Sequence, residues 1–177
     1  MSAAEDGIQR RLSRMFKHHR NEMCKAEALV ERTDRLELIA RSPHNDGLLV
    51  NFHCRCLRKI AGDEQIIERY DTIVDIRCPQ IGTFELTHLR VATELLPPNE
   101  RPYNPHILAN DHGLICVGSK WTPSTFSLDL LMLTAYDILR GDNVNADYRD
   151  TFNPDAIPYY QRLAAEGLLP LDPAPLI

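Results

Sequence analysis

The chain has 177 residues, of which 44% are hydrophobic and 25% are charged, and its formal net charge is −5. These values are typical of a globular domain and argue against a surface built throughout for nucleic acid. No stretch reaches the roughly 18 apolar residues of a membrane span, and the amino terminus lacks the apolar segment of a signal peptide. The five cysteines have no framework spacing, which favours reduced thiols. We therefore expect a cytoplasmic α+β domain.

The first predicted element is an amphipathic helix over residues 6–26. Its apolar residues recur at three- and four-residue steps, and basic residues fill the other faces. The predicted core face consists of Ile8, Leu12, Met15, Phe16, His19 and Met23. Four strands separated by short turns follow, with the sequences RLELIARSP (35–43), LLVNFHCRCLRKI (48–60), YDTIVDIRC (70–78) and LRVATELL (89–96). Since consecutive strands are joined by short connections, this series predicts an antiparallel meander.

The regular pattern stops over residues 97–123, a length that is unusual for a loop and is typical of a functional one. A helix is predicted over residues 124–140, with Ser124 or Ser127 as its N-cap and Gly141 at its end.

A last helix is predicted over residues 153–167, and residues 168–177 are expected to form a loose tail. The predicted fold class is thus α+β: an N-terminal helix, a four-stranded antiparallel meander, an active-site loop and two C-terminal helices. We expect one domain over residues 1–177, with a core at about residues 6–165.

One cysteine of the long loop is a candidate nucleophile. Cys116 lies in HGLICVGSKWTP, residues 112–123, which also holds the only tryptophan of the chain. Gly113 and Gly118 flank the thiol and allow another backbone to approach closely. A thiol is intrinsically nucleophilic and needs no buried base to react. The alternative is that Cys116 packs as a small buried hydrophobic residue.

Four short segments follow one another in the second half of the chain, namely NPHI (104–107), GLIC (113–116), WTP (121–123) and NPDA (153–156). In this order they resemble elements of the ubiquitin-conjugating (UBC-like) enzymes, in a divergent prokaryotic-type form. Those elements are His-Pro-Asn-Ile, the glycine and isoleucine before the catalytic cysteine, the tryptophan-Ser/Thr-proline that follows it, and the start of the late helix. The resemblance covers about residues 6–165, and its specific part is residues 103–123.

The resemblance implies that Cys116 carries a ubiquitin-like protein as a thioester. It also implies a hydrogen-bond donor for the developing oxyanion. The asparagine of the family falls at His106 and the histidine at Asn104, as though exchanged, and the spacing from His106 to Cys116 is longer than usual. We therefore expect His106 or Asn110 to donate to the oxyanion, and Asn104 or His112 to support the loop. The alternative is that Asn104 and His106 only satisfy backbone groups of the loop.

The resemblance further implies an activating enzyme that binds the N-terminal helix, with Arg10, Arg11 and Arg14 as the candidate surface. The simpler interpretation of these charges is a solvated helix face. The other implied partners are the ubiquitin-like protein and a deconjugating peptidase of the same pathway. Similar prokaryotic proteins occur in antiviral operons, which suggests a role in defence. No cofactor, metal, nucleic acid or membrane is implied.

Two other functions stay open at this point. The first is a catalytically silent variant that binds ubiquitin-like proteins as a scaffold, which the altered His-Pro-Asn element favours. The second is a cysteine hydrolase that pairs Cys116 with His106 or His112, although no nucleophile elbow surrounds the cysteine. A zinc site formed by these three residues would lack a fourth ligand.

Overall fold

The fold is described from a computed structural model, which covers residues 3–44, 46–78, 89–108, 113–117, 127–142 and 152–177, without the side chains of residues 3–6, 8, 11 and 15. Over these residues the chain forms an N-terminal helix, an antiparallel sheet and C-terminal helices. The predicted α+β class is confirmed. None of the helices in these ranges is long and apolar enough to cross a membrane.

The helices are α1 (Ala3–Glu31), α2 (Leu128–Leu139) and α3 (Ile157–Ala165). The strands found in the described ranges are β1 (Leu36–Arg41), β2 (Gly47–Ile60), β3 (Ile66–Arg77), β4 (Leu89–Val91), β5 (Glu100–Pro102), β6 (Ile107–Leu108) and β7 (Leu114–Ile115). They form one sheet in the order β1-β2-β3-β4-β7-β6, with β5 paired to β2.

The first four strands form the predicted antiparallel meander, with β2 and β3 as its longest pair. Alternate residues of β2, from Val50 through Phe52 to Cys54, are fully buried because a strand directs every second side chain to the same face. This face packs against α1 and α2 and forms the main core. A second cluster, made by Leu57, Tyr103, Ala156, Tyr160 and Leu163, joins α3 to the end of the sheet.

The segment expected to lack regular structure contributes three strands. β5 pairs with the last residues of β2, and β6 and β7 pair with each other beside β4. The predicted fourth strand, in contrast, is shorter than expected and ends at Val91, because Thr93–Leu95 forms a 3-10 turn. The long loop is therefore attached to the sheet at two places, through β5 to β2 and through β7 to β4.

The prediction for the core face of α1 is only partly right. Met23, Ala26 and Leu29 are buried, but Leu12 is exposed and the Phe16 side chain is 62% exposed. The helix has 29 residues and is about 44 Å long at 1.5 Å per residue. Among the described side chains of α1, the buried ones lie in its C-terminal part, and the apolar stripe continues beyond the core. The side chains of Ile8 and Met15, which were also predicted to face the core, lie outside the described part of the chain.

The start of α2 is capped differently from the prediction. Ser127 occupies the N-cap position but its side chain makes no capping hydrogen bond, and Ser124 lies outside the described residues. The Leu128 N–H donates instead to the buried carboxylate of Glu22 on α1, at 2.9 Å. The predicted end is confirmed, because Gly141 follows α2 with a φ of +77°, which glycine adopts without strain.

The expectation of a loose C-terminal tail is wrong. Leu176 is buried in the main core, and its carbonyl accepts a hydrogen bond from Thr33 Oγ1. The Tyr136 hydroxyl donates to the Ala174 carbonyl, and Asp172 pairs with Arg35 at 3.2 Å. The prolines of the tail suggested loose structure, but Leu176 belongs to the main core, and Leu169 and Leu171 pack against the second cluster.

Candidate active site

The pairing of β6 with β7 brings His106 and Cys116 together. Ile107 lies opposite Ile115 in this pair, and the Cys116 N–H donates to the His106 carbonyl at 2.7 Å. The antiparallel pairing of β6 with β7 thus extends by one residue pair, in which Cys116 lies opposite His106. Residues directly opposite in an antiparallel pair have Cβ atoms about 4.5–5.5 Å apart. The backbones of these two predicted site residues are therefore adjacent across the hairpin.

Gly113 fixes the start of this hairpin strand. Its φ is +66°, and a Cβ atom at this position would lie 2.6 Å from the Val91 carbonyl oxygen. The Val91 N–H donates to the Gly113 carbonyl at 2.8 Å. Glycine is required here because the backbone of β4 passes so close, and this contact holds the strand that leads to Cys116.

The thiol of Cys116 differs from the core thiols in exposure. Cys54, Cys56 and Cys78 are buried, whereas Cys116 is half-buried and Cys24 is exposed. Burial raises the pKa of Cys78 to about 12, and burial also raises the pKa values of Cys54 and Cys56. Since the thiolate is the nucleophile, the three core cysteines are poor candidates for chemistry at neutral pH.

Asn104 is hydrogen-bonded on both sides of its side-chain amide. Its side chain is only 2% exposed and its Oδ1 accepts the His106 N–H at 2.8 Å. Its Nδ2 donates to the Ile138 carbonyl at 2.7 Å and to the Tyr160 hydroxyl at 3.2 Å. The amide is thereby held by α2 and α3, and it directs the His106 N–H away from the strand ladder.

A second attachment of the loop was not predicted from the sequence. The carbonyl of Pro105 accepts the N–H groups of Phe152 and Asn153, at 2.9 and 3.0 Å. Asn153 also lines an open cleft of about 190 Å³, together with Lys59, Arg101 and Tyr103. The segment before α3 is therefore fixed to Pro105, the residue before His106, and Asn153 takes part both in this attachment and in the wall of the cleft. The sequence marked this region only by the NPDA segment, which does not indicate the residues that it contacts.

The remaining predicted residues are placed as follows. His106 is buried, with 9% of its surface exposed, and Arg10 and Arg14 are exposed on α1. Asn110, His112 and the side chain of Arg11 lie outside the described residues, so their roles stay predictions. Within the described ranges, no cluster of three or more His, Cys, Asp or Glu side chains could hold a metal ion.

The fold and the site define an α+β domain with a half-buried thiol directly after a hairpin strand, beside a buried histidine. Comparison of the chain with known protein families, with curated proteins and with solved structures found no match. A function for the chain therefore has to be argued from its own residues and geometry.

Proposed function

We propose that the chain is a UBC-like conjugating enzyme that carries a ubiquitin-like protein as a thioester on Cys116 and transfers it to an amine. The observation that supports this most is the hydrogen bond between the Cys116 N–H and the His106 carbonyl. It holds a half-buried thiol at the end of a short strand, next to a side chain that can donate hydrogen bonds. The Asn-Pro-His and Gly-Leu-Ile-Cys segments of the resemblance thus meet in space.

The reaction takes place in two acyl-transfer steps. In the first, the Cys116 thiolate attacks the carbonyl carbon of the donor thioester, a new C–S bond forms, and the donor thiol leaves and is protonated. In the second, an amine attacks the same carbon, an amide bond forms, the amine loses a proton, and Cys116 leaves as its thiolate. Each step passes through an oxyanion that a donor such as His106 or Asn110 stabilises, which typically contributes about 10²- to 10³-fold in rate.

The proposed partner surface is the N-terminal part of α1. Arg10 and Arg14 are exposed there, beside the exposed apolar side chains of Leu12 and Phe16. Phe16 also lines a groove of about 540 Å³ between α1 and the turn that joins β1 to β2. An exposed apolar stripe with basic flanks is suited to an activating enzyme with an acidic, partly apolar surface. The ubiquitin-like protein and a deconjugating peptidase complete the proposed pathway, which we place in the cytoplasm and in bacterial antiviral defence.

A first test measures whether the thiol is presented to solvent. The native protein is treated with a limiting amount of maleimide, and each cysteine is followed by peptide mass spectrometry. We expect Cys116 and the exposed Cys24 to react well ahead of Cys54, Cys56 and Cys78, because only thiols that reach solvent can be alkylated. A Cys116 as protected as the three core cysteines would contradict the proposal and indicate a packing role.

A second test measures the chemistry with a glycylglycine thioester, in which the N-acetylated dipeptide is joined to 2-mercaptoethanesulfonate as a small analogue of an activated carboxyl terminus. In a Cys24→Ser background we expect one thiol-labile adduct on Cys116, which disappears when an alkylamine is added and yields the glycylglycyl amide. Cys116→Ala is the matched control and should form no adduct. Steady release of free glycylglycine without an amine would contradict acyl transfer to amines and favour the cysteine hydrolase.

The burial of His106 favours a second candidate, a catalytically silent scaffold that binds ubiquitin-like proteins. A buried imidazole has less access to an oxyanion at Cys116 than an exposed donor has. In that case Cys116 would react with maleimide but would form no adduct with the glycylglycine thioester. The two tests together therefore separate the scaffold from the enzyme and from a packing cysteine.

A further inference from the structure

A buried hydrogen-bond chain connects α3 with the Cys116 strand. Tyr160 on α3 is fully buried, and its hydroxyl donates to the Tyr103 carbonyl at 3.1 Å. The same hydroxyl oxygen accepts from Asn104 Nδ2 at 3.2 Å, and Asn104 Oδ1 accepts from the His106 N–H. The His106 carbonyl then accepts the Cys116 N–H. An unbroken series of contacts therefore runs from the Tyr160 hydroxyl to the backbone of the nucleophile.

The Tyr160 hydroxyl is chemically suited to this position. Burial raises the pKa of Tyr160 well above its usual value, so the group stays a neutral hydroxyl at any working pH. A neutral hydroxyl can donate one hydrogen bond and accept another at the same time. Tyr160 uses both abilities, one toward Tyr103 and one toward Asn104.

We propose that Asn104 and Tyr160 are positioning residues for acyl transfer. They hold the His106–Cys116 pair in place through the chain of hydrogen bonds that runs from α3 to Cys116, directly after β7. This inference rests on the function proposed above. Asn104 determines where the His106 N–H points, and His106 holds the N–H of the nucleophile. A displacement of about 1 Å at a reacting group can lower a rate by about 10²-fold.

This chain of hydrogen bonds from Tyr160 to Cys116, here called the relay, can be disrupted without unfolding the domain. Removing the Tyr160 hydroxyl leaves its ring in the second core cluster, and Asn104 Nδ2 keeps its shorter bond to the Ile138 carbonyl. We therefore expect Tyr160→Phe to fold and to retain an accessible Cys116, while His106 is held less firmly. The acyl-transfer rate should then fall by more than any change in the accessibility of the thiol.

Tyr136 provides a matched control. It is also a fully buried tyrosine on a helix, and its hydroxyl also donates to a backbone carbonyl, that of Ala174 in the C-terminal tail. No described contact of that hydroxyl leads to Asn104 or His106. Tyr136→Phe therefore removes a comparable hydrogen bond away from the proposed relay.

The experiment compares two rates at Cys116 in a Cys24→Ser background. The first is the formation and aminolysis of the glycylglycyl adduct, and the second is alkylation by iodoacetamide, which needs only an accessible thiol. For Tyr160→Phe we expect the first rate to fall at least about tenfold, within the loss that such a displacement causes, and the second to change less than about twofold. Tyr136→Phe should leave both rates near those of the unmodified background.

Equal acyl-transfer rates in the two phenylalanine variants would overturn the relay, as would a parallel fall of both rates in Tyr160→Phe. Asn104→Ala removes the amide altogether and gives a second test, with a larger expected loss of acyl transfer. If the unmodified background forms no adduct at all, the proposed function fails and the relay with it. An active background with two equal phenylalanine variants overturns the relay alone.

Discussion

The buried carboxylate that joins α1 to α2 allows a quantitative prediction. Glu22 has a side chain that is 4% exposed, and it accepts the Leu128 N–H at 2.9 Å and the Lys25 ammonium at 2.7 Å. Glu22→Ala leaves a buried N–H without an acceptor, which costs about 1–3 kcal/mol. It also removes a negative charge from a helix N-terminus, which contributes about 0.3–1 kcal/mol. We expect the free energy of unfolding to fall by about 1–4 kcal/mol.

The measurements are urea unfolding and thermal unfolding, both followed by far-UV circular dichroism, and the melting temperature is expected to drop by roughly 3–15 °C. Lys25→Ala is the control, because that side chain is 49% exposed and the pair alone contributes less than about 1 kcal/mol. Glu22→Gln keeps an acceptor for Leu128 and should lie between the two. Equal losses of stability in Glu22→Ala and Lys25→Ala would refute the capping role. A Glu22→Ala variant that is more stable than the unmodified protein would show that the desolvation of the carboxylate outweighs its hydrogen bonds.

Three further predictions concern other parts of the fold. The hydrogen bond from Arg69 lowers the pKa of the buried Glu100. The ionised carboxylate therefore stabilises the fold at pH values above the pKa that Glu100 has in the unfolded chain. This contribution is lost as the pH falls through the lower pKa of the folded state. Glu100→Gln should cost about 3–5 kcal/mol near neutral pH and should flatten the dependence of the urea midpoint on pH below about pH 5. Gly113→Ala should destabilise far more than Gly62→Ala, because both have positive φ but only the first meets a carbonyl at 2.6 Å; equal midpoints would contradict this. Leu176→Ala should cost about 2–4 kcal/mol and expose the tail to limited proteolysis, whereas an unchanged digestion pattern would show that the tail is not part of the core.

The features that the sequence predicted best depend on local patterns. Alternation of apolar and polar residues in β2 placed Val50, Phe52 and Cys54 on the core face, because strand periodicity does not depend on distant partners. The helical stripe of α1 was equally clear, yet Phe16 is exposed because a stripe cannot show how much of a helix its neighbours cover. An acidic residue within that stripe, Glu22, was the available sign of a buried polar contact.

The sequence did not predict how the residues of the candidate site are connected. The loop pattern singled out Asn104, His106 and Cys116, and the hairpin brings these three residues into one network. The role of Tyr160 could not be read from periodicity, because its contact with Asn104 spans 56 positions of the chain. Contacts of this kind depend on how α3 packs on the sheet, which is a property of the whole fold.

The capping of α2 by Glu22 also affects the order of events during synthesis. The contact of α1 with α2 involves Leu128, which lies 106 positions after Glu22 in the chain. At about 5–20 residues per second, the apolar face of α1 waits roughly 5–20 seconds before α2 can cover it. The hairpins of the meander can pair during this interval because their contacts are local. The apolar face of α1 should therefore stay uncovered in a nascent chain until α2 has been synthesised.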